Sequence, residues 1–129
     1  MTRRFAVAWV ISAAALAACA APRQTLGTRS SPCFRSLPTA KTAVHGEGRL
    51  VGVRRFSRAT VEHGLPSTKL PPGRDFCVVG YSDDYRNDKV DQAAGAPTGK
   101  YAVVIVTLRG TSVVHTYLVD KLPFRLRHT

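Results

Sequence analysis

The sequence predicts a small, mainly β domain: an antiparallel sheet, or a sandwich or barrel, that ends in a C-terminal hairpin and carries one disulfide. Runs rich in valine, isoleucine, tyrosine and threonine recur along its second half, and these residues fit a pleated, half-buried surface. Helix signals are sparse. The one helical candidate is Asp88 to Ala94, which Asp88 would cap and Gly95 and Pro97 would end. Of the three cysteines, Cys19 falls at the processing site of an apolar leader, which leaves Cys33 and Cys77, an even number that can pair.

Taken in order, Arg49-Leu50-Val51-Gly52-Val53-Arg54-Arg55-Phe56 alternates imperfectly, with Leu50 and Phe56 on one face and Val51 and Val53 on the other. Arginines at both ends mark an exposed strand. Pro38 to Gly48 leads into it. Ala59 to His63 is a second, short strand candidate, ended by Gly64-Leu65-Pro66 and a proline-rich loop through Pro71-Pro72-Gly73. Phe76 to Tyr81 is a third and carries Cys77. Tyr101 to Leu108 and Ser112 to Val119 form a hairpin across Arg109-Gly110-Thr111. Ala102-Val103-Val104-Ile105-Val106 is apolar at both parities, as a strand covered on both faces must be, and belongs at the centre of the sheet. The tail Phe124-Arg125-Leu126-Arg127-His128 alternates and is read as one more edge strand.

The leader has the composition of an export signal: Arg3 and Arg4, then an apolar run from Phe5 to Ala18 broken only by Ser12, then small residues. As a helix that run would rise about 21 Å, at ~1.5 Å per residue. That is short of a hydrocarbon core of about 30 Å. Leu16-Ala17-Ala18-Cys19 resembles the lipobox of bacterial lipoproteins. The resemblance implies a diacylglycerol on the Cys19 thiol, cleavage before Cys19 and acylation of the new amino terminus. Ala18-Cys19-Ala20 also satisfies the small-x-small rule of ordinary secretory cleavage, which would release the chain without its anchor. Thr2-Arg3-Arg4-Phe5 lacks the residue that a twin-arginine signal places between the arginine pair and the phenylalanine. Ala20, rather than aspartate, after the cysteine resembles an outer-membrane sorting signal.

These readings divide the chain into a signal peptide (1–18), a lipidated tether (19–32) and one β-rich domain (33–129). Pro22, Gly27, Ser30, Ser31 and Pro32, with Leu26 as the single large apolar residue, suit a tether. Its root-mean-square span is about 20 Å, which would keep the domain near its membrane. An oxidising envelope compartment favours a Cys33–Cys77 bond. Closing a loop of about 45 residues constrains the unfolded chain by roughly 4 kcal/mol in the loop-entropy model.

Charge is the main deviation of composition. Without Arg3 and Arg4, the 19 Lys and Arg become 17, against 8 Asp and Glu. On an exported domain this favours anionic lipid head groups or acidic envelope polymers and disfavours nucleic acid as a partner. Arg49, Arg54, Arg55 and Arg58 crowd around Phe56, a forked cationic surface suited to phosphate or carboxylate; arginines on an edge strand also protect it from aggregation.

Catalytic motifs are incomplete. Gly80-Tyr81-Ser82-Asp83-Asp84 lacks the second glycine of a nucleophile elbow, and His45-Gly46-Glu47 lacks the paired cysteines of a zinc deaminase. His45, His63, His115 and His128 have no metal spacing, and a disulfide-bonded Cys77 offers no thiolate. Asp83, Asp84, Asp88 and Asp91 fall in one stretch read as an acidic loop, but Arg86 and Lys89 stand where a calcium loop needs a ligand and a glycine. No catalytic residue, metal or cofactor is expected. The sequence thus points to a lipid-anchored envelope lipoprotein acting as a non-catalytic binding or assembly module, in an envelope protein complex or on anionic lipid or cell-wall polymer. The alternative is a small secreted enzyme or enzyme inhibitor.

Overall fold

A computed structural model describes residues 31–109 and 112–126. The leader, Cys19, most of the tether, the hairpin residues Gly110 and Thr111, and Arg127 and His128 lie outside the described residues. The elements run α1 (Ser31–Phe34), α2 (Leu37–Ala43), β1 (Arg49–Ser57), α3 (Arg58–Gly64), β2 (Asp75–Arg86), a 3-10 turn at Asn87–Lys89, β3 (Ala93–Gly95), β4 (Thr98–Thr107) and β5 (Val113–Val119).

The fold is mainly β, with the C-terminal hairpin and one disulfide. A single open sheet has the order β1-β2-β4-β5-β3, so β4 is the central strand. Pairings β1–β2, β2–β4 and β4–β5 are antiparallel, while the short β3 lies parallel to β5, which makes the sheet mixed. The both-parity run in β4 is explained by burial on both faces. Ala102, Val104 and Val106 join one core with Val53, Cys77, Val79 and Leu118, under Cys33, Ala40, Ala43 and Val44 from the α1–α2 segment. Val103 and Ile105 join the other with Phe76, Val78 and Tyr117, under Val61 and Leu65 from the α3 region and Phe124 and Leu126 from the C-terminal segment.

Several local expectations are corrected. Ala59 to His63 is helix, not strand, because Ser57 turns the chain: at φ −68° and ψ 156° its side chain accepts a hydrogen bond from the Thr60 amide. Val61 and Leu65, four residues apart, then bury together. Pro38 to Gly48 is largely helix α2 rather than a plain lead-in. Proline in the first turn fits, and Ala40 and Ala43 face the core. Asp88 to Ala94 contains only the 3-10 turn and then β3. Asp83 and Asp84 belong to the end of β2, not to a loop. A register shift between Leu50 and Gly52 bulges Val51, so Leu50 pairs with Tyr81 on the face of Val53, opposite Phe56. The described tail, Phe124 to Leu126, forms no strand and instead lies across the sheet as a strap.

Gly48 requires its residue type. Its φ of +91° is left-handed, and a β-carbon there would collide with the Tyr85 hydroxyl. That hydroxyl donates to the Glu47 carbonyl at 2.7 Å, fixing the entry to β1.

Candidate functional site

Cys33 and Cys77 are bonded, with Cα atoms 5.3 Å apart, inside the span a disulfide tolerates. Both are fully buried. The bridge ties α1 to β2, so the start of the described chain is fastened to the sheet.

The four arginines singled out by sequence go to different places. Arg49 is exposed at the start of β1, where it pairs with Ser82. Arg54 stacks 5.5 Å from the Phe56 ring centroid, and its Nη1 donates to the Arg125 carbonyl at 3.1 Å. Arg55, cross-strand from Cys77, lies on the opposite face and donates through Nε and Nη2 to one carboxylate oxygen of Asp75, at 2.9 and 2.5 Å. Arg58 opens α3. Its backbone N–H donates to the Arg74 carbonyl at 2.8 Å, its Nε to the Gly73 carbonyl at 2.9 Å and its Nη2 to the Pro71 carbonyl. It also pairs with Glu62 at 3.2 Å and lies 5.5 Å over the Phe76 ring. Arg54, Arg55 and Arg58 therefore hold the strap, the β1–β2 pair and the 71–74 loop respectively.

Charge is nevertheless sorted along the strands. One end of the sheet gathers the end of β1, the start of β2 and the end of β4, as the pairs Ser57↔Asp75 and Phe76↔Thr107 require. It carries Arg55, Arg58, Arg74 and Arg109, and its acids Glu62 and Asp75 are both bonded to arginine. The other end carries Glu47, Asp83, Asp84, Asp88 and Asp120 among Arg49, Arg86, Lys89, Lys100 and Lys121, a near balance. Sequence reasoning missed Arg74 and Arg109, which lie in different loops and meet only through the β2–β4 register.

At the balanced end, burial raises the ionisation of Tyr85 well above the ordinary tyrosine value, and the charges of Asp83, Tyr81 and Glu47 add to the shift. Tyr81 is raised by burial. The unfolded chain loses these protons near pH 10 while the folded chain keeps them. Their stabilising effect is complete below about pH 10 and declines as pH climbs toward the folded-state values. Urea midpoints should fall between pH 9 and pH 11, and Tyr85→Phe should flatten that slope; an unchanged slope in the variant would acquit Tyr85.

His45 Nε2 and Asp91 Oδ1 approach to 2.8 Å, both half-exposed, and the Asp91 amide donates to the Ala43 carbonyl. This pair clips the end of α2 to the segment before β3. Among the described residues, no three of His, Cys, Asp and Glu gather as a metal site would need, and no helix is long and apolar enough to cross a membrane. Comparison with known protein families, curated proteins and solved structures finds no match to this chain.

Proposed function

We propose that the protein is a lipid-anchored lipoprotein of the bacterial cell envelope, held on the exported side of a membrane by an acylated Cys19, and that it acts as a non-catalytic binding or assembly module. In a diderm cell the anchor lies in the outer membrane. The observation that carries this reading is Leu16-Ala17-Ala18-Cys19, directly after a positive n-region and an apolar run. The buried Cys33–Cys77 bond supports export, since such bonds persist in oxidising compartments. The arginine-rich end of the sheet suits anionic lipid, cell-wall polymer or an acidic partner protein in the envelope.

Cys19→Ser tests the anchor. The wild-type chain should incorporate labelled palmitate and sediment with membranes. The variant should lose the label and either become soluble or accumulate as an uncleaved precursor. Equal labelling and unchanged fractionation of the variant would end the lipoprotein reading. A wild-type chain that is cleaved, unlabelled and soluble would point to ordinary secretion.

A further inference from the structure

The basic end of the sheet contains a cleft of about 440 Å³, within the range of small-ligand sites. Arg74, at the end of the loop before β2, and Arg109, in the turn after β4, both line it. Pro72 and Leu108 add accessible apolar lining, and the buried Phe76 lies beneath. Both arginines are exposed, and no acidic side chain of the described residues pairs with either. Two guanidinium forks beside an apolar wall are a pattern for an oxyanion attached to an apolar body.

The surroundings prepare the cleft for such a ligand. Arg58 holds the Pro71, Gly73 and Arg74 carbonyls, so the lip that carries Arg74 is fastened before any ligand arrives. The same guanidinium lies over the Phe76 ring, and its charge is offset by Glu62 at 3.2 Å. Asp75 also lines the cleft and would oppose an anion, but Arg55 engages its carboxylate with two hydrogen bonds. The positive field is left to Arg74 and Arg109.

We infer that this cleft binds a small ligand whose phosphate or carboxylate is gripped by Arg74 and Arg109 while its apolar part rests against Pro72 and Leu108. This deepens the binding-module reading by giving it a ligand class. Arg58 acts as a positioning residue for the lip. Because ligand binding does not need the acyl chain, the inference and the anchor fail by separate experiments.

The test is calorimetric titration of the purified full chain, in nonionic detergent, with phenyl phosphate and with benzoate, and with benzyl alcohol as the neutral analogue. At least one of the two anions should bind saturably and shift the amide resonances of Phe76 and Leu108, and benzyl alcohol should not. Arg74→Gln and Arg109→Gln should each weaken binding about tenfold or more, because each removes a charge-assisted hydrogen-bond donor. Lys121→Gln, at the other end of the sheet, removes the same charge and should leave binding unchanged. Displacement of the bound anion by soluble glycerol phosphate would assign a free or polymer-borne phosphate, and displacement only by phosphatidylglycerol vesicles would assign a lipid head group. Absence of saturable binding by both anions, equal binding of benzyl alcohol, or retention of affinity in both cleft variants would overturn the inference.

Discussion

Reduction of the Cys33–Cys77 bond should lower the folding stability of this domain by about 4 kcal/mol, the value the loop-entropy model gives for a closed loop of this length. The sequence separation of 44 residues makes the constraint large, because it spans α2, β1, α3 and the loop to β2. A domain of this size is held by a margin of roughly 5–15 kcal/mol, so the loss would remove a large part of its stability. The measurement is chemical denaturation with and without reductant, repeated on Cys33→Ala/Cys77→Ala. Both alkylation of the reduced protein and the double variant bear on the same buried location, where neither sulfur is exposed. A midpoint unmoved by reduction, with complete thiol release confirmed, would show that the unfolded chain is already confined by other means. The loss of stability should appear whether or not Cys19 is acylated.

The sheet was legible where side-chain pattern alone decides structure. β4 announces itself through apolar residues at both parities, and both of its faces are covered. The hairpin follows from its dense β-branched arms, and the disulfide from cysteine parity. Short elements were less legible. Thr60 and Val61 are β-branched and read as strand, yet one Ser57 hydrogen bond and the burial of Val61 and Leu65 make them helical. Signals for the two longer helices existed: Pro38 with Ala40, Ala43 and Val44 for α2, and the Ser57-x-x-Thr60 cap for α3. β3 has only three residues, Ala93 to Gly95, and its place is set by pairing with β5 rather than by propensity. The site divides the same way. Arg54, Arg55 and Arg58 are neighbours in sequence but alternate strand faces or leave the strand, so each found a different partner. Arg74 and Arg109 are distant in sequence, and only the Phe76↔Thr107 register brings their loops to one cleft.

Leu126→Ala should destabilise the domain by about 2–5 kcal/mol, the usual cost of emptying a buried leucine site. The reason lies in two glycines under the strap. Gly52 in β1 has no β-carbon, and the Leu126 carbonyl occupies the space one would need. At Gly80 in β2, an added β-carbon would stand 2.6 Å from Leu126 Cδ1. Leu126 thus fills a hollow that two side-chain-free positions leave open, and it is 2% exposed. Phe124 stacks with its ring centroid 5.0 Å from that of Phe56, and Arg54 bonds the Arg125 carbonyl, so the strap is seated at three successive residues. Gly80→Ala should be costly in the native background, about 1–3 kcal/mol for overpacking. In Leu126→Ala the same change has room and should cost much less, because the clash is with a side chain that is gone. Gly52→Val meets backbone instead, so Leu126→Ala should not relieve it. Denaturant melts of the single and double variants read this coupling directly. Additivity of Gly80→Ala with Leu126→Ala within about 0.5 kcal/mol would mean that the strap does not rest on β2 in solution.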